Sequence, residues 1–279
     1  MQIAHEAPLA IMPLVRTYTD YDYALVHLFE DEEIGKPYFD FFAESLNQGR
    51  RVILDNSIFE LGTAFEPLKF IDWVKKLLPT EYIIPDVFRN SEATLQKVDE
   101  WFSLLEESNS TDILENCKAI AVVQGNSFED CVDCYKKLLS DKRIYKIAIP
   151  FDFPWYQEWT GIESKEVAFM EGRRRFMDHL HRLNRPSVWK SFHLLGCALP
   201  QEFEYYSNTP WLKEQIETID TSNPVLHGWL GIKYETHGLS QKDTTKMATI
   251  IKEPCSFEKC TDIVYNIGRF KGFCKVITW

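Results

Sequence analysis

Four short apolar segments of this sequence each end directly in polar side chains that could do chemistry. The polar residues that follow them are Asp55-Asn56-Ser57, Asp86, Gln124-Gly125 and Asp220. In a parallel α/β protein the carboxyl ends of the strands open on one face, so we expect the three carboxylates and the glutamine amide to share one pocket. Because a pair of carboxylates can supply a nucleophile and an acid/base, this arrangement is typical of an enzyme site.

The elements that would position these residues alternate between strand-like and helix-like segments. Apolar runs predict strands at residues 24–29, 51–55, 82–86, 118–124, 145–150, 192–196 and 216–220. Helical periodicity and N-cap residues predict helices at residues 36–47, 66–78, 91–106, 127–139, 165–183 and 201–206, with Ser91 and Ser127 as the expected caps of the third and fourth. An eighth unit is irregular, with a predicted strand at 229–234 and a helix at 255–270.

This alternation predicts an α/β fold, specifically a (β/α)8 TIM barrel with an irregular eighth unit. Such units pair in parallel through right-handed crossovers, and eight of them close into a barrel more readily than they form an open sheet. A doubly wound sheet is the alternative, but no glycine-rich phosphate loop follows the first strand. Because no long linker or internal repeat interrupts the chain, we expect a single barrel domain over residues 1–279.

The composition is that of an ordinary globular enzyme. The chain has 279 residues, of which 45% are hydrophobic, and this is enough to bury a large core. No run approaches the roughly 18 apolar residues of a membrane helix, and residues 1–13 lack the basic region and long apolar run of a signal peptide. We therefore expect a cytoplasmic protein without a membrane partner, in which the seven scattered cysteines are free thiols.

The charge distribution bears on whether a nucleic acid could be the partner. A net charge of −11 at pH 7 argues against a uniformly basic binding surface. A local basic run nevertheless lies beside Phe176 and Trp189, and could follow a phosphate backbone or be the solvated face of a helix. Its members are Arg173, Arg174, Arg175, His179, His181, Arg182, Arg185 and Lys190. A second basic cluster consists of Lys136, Lys137, Lys142 and Arg143.

The polar strand ends form a series of short motifs in a definite order along the chain. In chain order they read Asp55-x-Ser57, Pro85-Asp86, Val122-Val123-Gln124-Gly125, Leu194-Leu195-Gly196-x-x-x-Pro200 and Asp220-Thr221-Ser222. Across about residues 50–235 this order resembles the guanine transglycosylase family, whose members exchange guanine in a polynucleotide for a 7-deazaguanine base on a TIM barrel. The closest local match is Val123-Gln124-Gly125, which precedes a predicted helix with acidic residues in its first turn.

The resemblance implies a role for each of these side chains. By family position, Asp220 is the nucleophile and Asp55 is the general acid/base. Asp86 would accept hydrogen bonds from N1–H and the exocyclic amine of the base, and Gln124 would donate to its O6, which a carboxylate cannot do. The remaining base-binding positions are Ser57 and Gly125.

The implied reaction is a double displacement at the anomeric carbon of a nucleotide. One carboxylate displaces guanine through an oxocarbenium-like transition state, and a second base then displaces the enzyme, as in retaining glycoside chemistry. A base in a duplex must first leave the stack, which costs about a few kcal/mol. Contacts to the phosphate backbone would offset this cost, and the residues expected to make them are Arg173, Arg174 and Arg175.

Differences from the family pattern help to choose the substrate. Members that act on tRNA usually carry a Cys-x-Cys-x-x-Cys run and a later His, whereas this chain has Cys255, Cys260 and Cys274 with no His after His237. Since a structural zinc site needs four closely spaced N or S ligands, zinc is not expected. The chain looks more like the compact, virus-type 7-deazaguanine DNA transglycosylases. We therefore expect DNA as the polymer, a free 7-deazaguanine base as co-substrate and no other cofactor, with host cytoplasm as the location of a viral member.

Several alternatives stay open at this point. The polymer could be tRNA, or the protein could be a noncatalytic nucleic-acid-binding relative or a TIM-barrel enzyme with another carboxylate-based activity. A homodimer, as in many relatives, is also open. Aligning on the later part of the last motif would put Asn223 at the nucleophile position, and an uncharged amide there would mean an inactive protein. The glycine pair of the family is replaced by Ile149-Pro150-Phe151, and Pro150 has no N–H to offer a base.

Local structural roles compete with the functional ones at several of these positions. Ser57 and Asp86 could each cap the helix that follows them. His193 lies within an apolar segment and is more typical of a hydrogen-bonded core histidine than of a catalyst. Trp155 and Trp159 could pack a loop, or they could stack on a flipped base.

Overall fold

The computed structural model describes residues 1–184 and 189–275, and its fold is α/β of the (β/α)8 TIM-barrel class. Arg185, a member of the predicted basic run, lies outside the described residues. The order of the strands in the sheet is β1-β8-β7-β6-β5-β4-β3-β2, which confirms the predicted class. The strands are β1 (Gln2–Ala4), β2 (Asp22–Leu25), β3 (Val52–Asp55), β4 (Glu81–Ile83), β5 (Lys118–Val122), β6 (Lys146–Pro150), β7 (Ser191–Leu195) and β8 (Ile216–Asp220).

Helices follow the strands along the chain. Those of the described residues are α1 (Met12–Arg16), α2 (Gly35–Asn47), α3 (Ile58–Leu61), α4 (Pro67–Leu77), α5 (Ser91–Glu107), α6 (Asp112–Asn116), α7 (Phe128–Ser140), α8 (Trp155–Thr160), α9 (Lys165–Leu183), α10 (Glu202–Asn208), α11 (Pro210–Gln215), α12 (Asn223–Trp229) and α13 (Phe257–Phe273). Short 3-10 helices occupy Leu9–Ile11, Val26–Glu30 and Met247–Thr249. Across the described ranges, no helix has the length and apolar character needed to cross a membrane.

The remaining strand of the sheet is at the beginning of the chain, and the prediction of a strand at 229–234 is wrong. β1 pairs in parallel with β8 and aligns Ala4 with Asp220. Residue 229 instead ends α12, and Gly231 turns the chain with a φ of 73°. The first predicted strand was also too long, because β2 ends at Leu25 and a 3-10 helix follows. A three-residue strand is too short to carry the apolar pattern on which a prediction depends.

Side-chain caps fix where the helices begin. Ser127 caps α7 by accepting from the Asp130 N–H at 3.1 Å, as its position in the sequence indicated. The prediction that Ser91 caps α5 is wrong. Asn90 is the cap, because its side chain accepts a hydrogen bond from the Ala93 N–H. Ser91 instead donates its hydroxyl hydrogen to Asp130 at 2.9 Å. Asn and Ser are nearly equivalent as caps, so the sequence alone could not separate two adjacent candidates.

The chain divides into two compact units, which we describe separately. Unit 1 comprises described residues 1–20, 150–184 and 192–275, and unit 2 comprises residues 21–149 and 189–191. Unit 2 contains the run of parallel pairings from β2 to β6, and this run places Leu25 beside Asp55 and Ile83 beside Ile120. Unit 1 contains β1, β8 and most of β7. The expectation of a single domain stays a prediction.

The interior of unit 2 contains a group of three charges, which we call the Glu81 triad. The Glu81 carboxylate accepts hydrogen bonds from Lys146 Nζ at 2.7 Å and from the guanidinium of Arg51. The side chains of Glu81 and Lys146 are almost completely buried. Glu81 and Lys146 are the first residues of β4 and β6, so the triad lies at the amino ends of the strands, away from their carboxyl ends.

The interior of unit 1 depends on close contact between α12 and α13. Gly228 lies where an added Cβ would come within 2.5 Å of the Ile263 backbone, so only glycine allows this approach. Asn266 of α13 accepts from the Tyr234 N–H at 2.8 Å and donates to the Ile232 carbonyl at 2.9 Å. These contacts fix the segment that follows β8, the strand that ends in Asp220.

Candidate functional site

The first polar strand end in unit 2 is Asp55, the last residue of β3. Its buried carboxylate accepts hydrogen bonds from the Tyr23 hydroxyl and from the Ser57 backbone N–H, each at 2.5 Å. Ser57 has a φ of 60°, which is uncommon for a residue with a side chain, and its hydroxyl accepts from the His27 N–H at 3.3 Å. Ser57 makes no side-chain cap to α3. Its backbone therefore serves to orient the Asp55 carboxylate.

A second carboxylate of unit 2, Asp86, lies between two side-chain amides. Asn56 Nδ2 donates to Asp86 Oδ1 at 2.8 Å and to the Ile84 carbonyl at 2.9 Å. From the other side Gln124 Nε2 donates to Asp86 Oδ2 at 2.7 Å. The Arg89 N–H donates to Gln124 Oε1 at 2.9 Å, which fixes the orientation of that amide. We call Asn56, Asp86 and Gln124 the amide–carboxylate cluster.

Burial controls the protonation of Asp86. Its side chain is 3% exposed, and desolvation raises the pKa of its carboxyl to about 6, although the hydrogen bonds from Asn56 and Gln124 act in the opposite direction. The group is therefore ionised at neutral pH and protonated in mild acid. Because Asn90 caps α5, Asp86 is not needed as a helix cap. An ionised carboxylate only accepts hydrogen bonds, so Asp86 is suited to a ligand that offers N–H groups.

Gly125, which follows Gln124, is required by the packing of α7. A Cβ at this position would lie 2.8 Å from the Cys131 backbone nitrogen and 3.0 Å from the Asp130 Cβ. The glycine therefore lets the first turn of α7 approach the end of β5. This contact gives Gly125 a structural role in positioning Gln124, in addition to the base-binding role that the sequence implies.

In unit 1 the polar strand end is Asp220, the last residue of β8. Its Oδ1 lies 3.2 Å from His193 Nε2, an ion-pair distance without hydrogen-bond geometry, and accepts from the Gly196 N–H at 3.4 Å. His193 Nδ1 lies 2.9 Å from the Thr218 hydroxyl. The imidazole is fully buried, as expected for a core histidine, but it also faces the Asp220 carboxylate. His193 is thus a candidate positioning residue for Asp220.

The alternative nucleophile position, Asn223, is occupied by a structural amide. Asn223 lies at the start of α12, where its Nδ2 donates to the Ala198 carbonyl at 3.3 Å and its Oδ1 accepts from the Tyr234 hydroxyl. Its carbonyl is 2.8 Å from His227 Nδ1. The amide is buried within unit 1, and these hydrogen bonds account for its polar atoms. Asp220 is therefore the carboxylate that this strand end presents.

Arg173 does not have the surface position that a phosphate-binding residue needs, and its predicted role is corrected. The guanidinium is fully buried in unit 1, where it pairs with Glu202 at 2.7 Å. It also donates to the carbonyls of Leu195 and Gly196, each at 2.9 Å. Arg173 therefore holds the carboxyl end of β7, which carries the N–H group that faces Asp220. The run of three arginines in the sequence could not reveal this, since α9 turns Arg173 inward.

Other basic side chains of the predicted surfaces have acidic or carbonyl partners. Arg174 and Arg175 both pair with Glu171, at 3.2 and 2.9 Å, and the Arg174 guanidinium lies 4.1 Å from the centroid of the Tyr205 ring. These two arginines keep partly exposed side chains. Lys190 of unit 2 donates to the carbonyls of Asp141 and Ile144, so it connects two loops.

Two members of the second basic cluster, Lys136 and Arg143, are also paired with carboxylates. Lys136 lies 3.0 Å from Asp133, and the Arg143 guanidinium contacts Asp99 and Asp141 at 2.5 and 2.7 Å. These carboxylates raise the pKa of Arg143 further above its ordinary value, chiefly through the hydrogen bond to Asp141. A phosphate would have to compete with these partners for the same guanidinium.

Phe151 belongs to the segment Ile149-Pro150-Phe151, which stands where the resemblance implies a glycine pair. Its ring packs on Gly196, since a Cβ added there would come within 2.6 Å of the ring. Gly196 has a φ of 62° and so combines a left-handed backbone with close contact to an aromatic ring. Lys242 Nζ lies 3.9 Å from the centroid of the same ring. An aromatic surface and a cation therefore meet at this point of unit 1.

The tryptophans after β6 differ in exposure. Trp155 is buried and its ring stacks on Phe153 with a centroid separation of 5.5 Å and an interplanar angle of 22°. It also contacts Tyr156 edge-on at 4.4 Å. Trp155 therefore packs the loop, and its predicted alternative role in stacking on a base does not fit this burial. Trp159 remains 38% exposed.

The cysteines that were compared with a zinc motif do not form one group. The Sγ atoms of Cys255 and Cys260 are 3.4 Å apart at the start of α13, whereas Cys274 is buried near its end. Burial raises the pKa of Cys255 to about 12, with the neighbouring Cys260 adding to the effect. Among residues 1–184 and 189–275, no group of three or more His, Cys, Asp or Glu side chains is placed to hold a metal ion.

Comparison with known proteins does not identify a family for this chain. The sequence matches none of the protein-family models, and no curated protein matches it. The resemblance to guanine transglycosylases therefore stands on the motifs quoted above.

Four residues near the polar strand ends were assigned no role in the site from the sequence. Tyr23 and Asn56 bind the carboxylates of Asp55 and Asp86, and His193 faces Asp220. Lys242 lies in a loop without regular structure, over the Phe151 ring. Asn56 directly follows Asp55, so its position gave a usable signal. Tyr23 and Lys242 are brought to these places by tertiary contacts that no local spacing encodes.

Proposed function

We propose that the protein is a base-exchanging transglycosylase that replaces guanine in DNA by a 7-deazaguanine derivative through a covalent aspartyl-sugar intermediate. The observation that carries the proposal is the amide–carboxylate cluster, in which Asn56 and Gln124 hold the ionised carboxylate of Asp86. This arrangement, together with the Asp55 and Asp220 carboxylates at other strand ends, supports a reaction on a purine base.

The cluster is complementary to one edge of guanine. Asp86 Oδ1 accepts from Asn56 and Oδ2 accepts from Gln124, and an ionised carboxylate has about four lone-pair sites, so Asp86 could also accept from N1–H or the exocyclic amine of the base. Gln124 uses one N–H on Asp86, and its second N–H could donate to O6. Adenine offers an acceptor at N1 and a donor at its six position, so the same cluster would reject it.

The proposed chemistry begins with attack on the sugar by Asp220. A bond forms between a carboxylate oxygen and C1′, the bond between C1′ and N9 breaks, and its electron pair leaves with guanine. Asp55 delivers the proton that the departing base takes up, and the Tyr23 hydroxyl and Ser57 N–H orient its carboxyl for this transfer. The incoming base then gives a proton to Asp55 and attacks C1′, which releases Asp220.

The choice of DNA over tRNA follows from the resemblance to the compact transglycosylases. Of the three arginines first assigned to the phosphate backbone, Arg174 and Arg175 remain candidates because their side chains are partly exposed. Their partner Glu171 would have to give way to a phosphate. The same residues could contact tRNA, and measuring guanine exchange into DNA and into tRNA distinguishes the two polymers.

The test is incorporation of radiolabelled guanine into duplex DNA, single-stranded DNA and bulk tRNA. Wild type would be compared with Asp220→Asn and with Asp40→Asn as a matched control, because Asp40 is an exposed carboxylate paired with Lys36. We expect exchange into DNA by wild type and control, inhibition by unlabelled 7-deazaguanines, and a loss of at least about a thousandfold in the Asp220 variant.

Each outcome of this experiment has a definite meaning. Exchange into DNA together with a covalent adduct trapped at Asp220 supports the proposal. Exchange into tRNA alone would assign the protein to tRNA-guanine transglycosylation. No exchange into any polymer by folded wild type would overturn the proposal and leave a nucleic-acid-binding relative or another carboxylate-based enzyme.

A further inference from the structure

Lys242 is held in place although it belongs to the irregular segment between α12 and α13. On one side of it, the Gln201 side chain donates to the Leu239 carbonyl at 2.7 Å and accepts from the Leu239 N–H at 3.1 Å. On the other side, the Asp243 N–H donates to His227 Nε2 at 3.2 Å. Two partly buried, hydrogen-bonded anchors of unit 1 thus bracket Lys242 along the chain.

The ammonium group of Lys242 has an aromatic contact but no anion bound to it. Nζ lies 3.9 Å from the centroid of the Phe151 ring, and in the described part of the chain it makes neither a hydrogen bond nor an ion pair. The residue is partly buried, and desolvation lowers its pKa from the ordinary value although the Asp152 and Glu6 carboxylates favour the charged form. A partly desolvated cation of this kind gains most from a bound anion.

Lys242 is connected to the nucleophile through two contacts within unit 1. The Phe151 ring beneath the ammonium packs on Gly196, and the Gly196 N–H faces Asp220 Oδ1 at 3.4 Å. Lys242, Phe151 and Asp220 therefore belong to one continuous set of contacts around the carboxyl end of β7. An anion bound at Lys242 would thus be connected to Asp220 through the Phe151 ring and Gly196.

We infer that Lys242 binds a phosphate of the polynucleotide next to the nucleotide whose sugar Asp220 attacks. This inference rests on the proposed function. In a nucleotide the 5′ and 3′ phosphates are separated from C1′ by only the sugar ring, so a sugar presented to Asp220 brings a phosphate with it. Lysine is suited to a phosphate as a mobile point charge. With a net charge of −11, the protein also needs local cations to hold a polyanion.

The first experiment measures how binding depends on salt. Asp220→Asn would be combined with Lys242→Gln, Lys242→Arg, or Lys36→Gln as a control at an exposed lysine paired with Asp40. Affinity for a fluorescent single-stranded DNA oligonucleotide would be measured over a range of salt concentrations. We expect Lys242→Gln to weaken binding by about tenfold and to reduce the slope of log affinity against log salt by about one. Lys242→Arg should keep the slope, and the Lys36 control should change neither quantity.

The second experiment locates the phosphate. A neutral methylphosphonate would replace the phosphate 5′ or 3′ to the target guanosine, one position at a time. At one of these positions the replacement should weaken binding to the Asp220→Asn protein but cause no additional loss with Lys242→Gln, because both changes remove the same interaction. The inference would be overturned if, at the 5′ and at the 3′ position alike, the methylphosphonate weakened binding equally in the Asp220→Asn protein and in the protein that also carries Lys242→Gln.

The two proposals fail in different ways. Wild type that exchanges guanine, with an unchanged salt slope in Lys242→Gln, would refute the role of Lys242 and leave the function standing. Absence of exchange by wild type, with a reduced salt slope in Lys242→Gln, would refute the reaction but retain a phosphate site. If folded wild type binds no oligonucleotide at any salt concentration, the inference about Lys242 is wrong. Thermal unfolding of every variant shows whether it is folded.

Discussion

The protonation of one buried carboxyl group decides what the amide–carboxylate cluster can bind. Asp86 carries a charge at neutral pH in spite of its burial because Asn56 and Gln124 donate to it. The sequence predicted Asp86 and Gln124 separately as polar strand ends. It did not reveal that they are bonded to each other or that Asn56 completes the cluster, since these contacts join residues from three different strand ends.

The pH dependence of stability tests the state of Asp86. Its pKa is raised to about 6 in the folded protein, against 3.8 as the ordinary value, so the folded state favours the protonated form. The stability that the folded state gains from protonated Asp86 is fully present below pH 3.8 and is lost as the pH rises through 6. We expect the unfolding free energy of wild type, relative to Asp86→Asn, to fall by about 2 kcal/mol between pH 4 and pH 7.

Urea unfolding of both proteins at several pH values would measure this difference. The matched control is Asp40→Asn, because Asp40 is an exposed carboxylate whose removal should leave the pH profile of the wild type nearly unchanged. A wild-type curve that runs parallel to the Asp86→Asn curve between pH 4 and pH 7 would contradict the raised pKa.

At the scale of elements, helix α9 braces the end of strand β7. Arg173 projects inward from α9, pairs with Glu202 of α10 and binds the carbonyls of Leu195 and Gly196. The positions of these elements could be predicted from apolar periodicity. The inward direction of Arg173 could not, since an arginine is ordinarily exposed and becomes buried only when a partner such as Glu202 is supplied by another element.

Replacing Arg173 should destabilise the protein far more than replacing its neighbour. In Arg173→Met the buried Glu202 carboxylate loses its cationic partner and keeps only the hydrogen bond from the Tyr206 hydroxyl, so we expect the unfolding free energy to fall by about 3–5 kcal/mol. Arg175→Gln is the matched control, because its pair with Glu171 is half exposed and should contribute less than about 1 kcal/mol. Chemical denaturation would compare the two.

A double variant separates the effect of charge pairing from the effect of packing. If the destabilisation in Arg173→Met comes from an unpaired carboxylate, adding Glu202→Met should recover much of it. Additive losses in the double variant would mean instead that the volume and hydrogen bonds of the guanidinium, and not the charge of Glu202, set its contribution.

Over the whole molecule, the charge is strongly negative, and several members of the two predicted basic clusters are paired with carboxylates. The sequence established the net charge of −11 and the clusters of arginine and lysine. It could not establish which of them face solvent, because pairing with Glu171, Asp99 or Asp141 is set by the packing of helices and loops. The fold class was therefore more predictable than the polymer-binding surface, since alternating apolar segments determine the former and individual side-chain contacts the latter.

The salt dependence of DNA binding tests which surface contacts the polymer. In an Asp220→Asn background, replacing both Arg174 and Arg175 by Gln should reduce the slope of log affinity against log salt by about two, because each arginine would neutralise one phosphate. Arg143→Gln provides the comparison for the second basic cluster. A reduced slope in Arg143→Gln with no change in the double variant would move the backbone-binding surface from α9 to that cluster.

The Glu81 triad constrains how this chain can diverge. Its three members come from separate strand regions, yet loss of Lys146 would leave a buried carboxylate with Arg51 as its remaining partner, and loss of Glu81 would leave an ammonium group in the interior. Single replacements are therefore selected against, whereas a joint change to apolar residues of similar volume can be neutral. Homologous chains should consequently keep all three charges or have lost them together. Residues 51, 81 and 146 should therefore change together among related sequences.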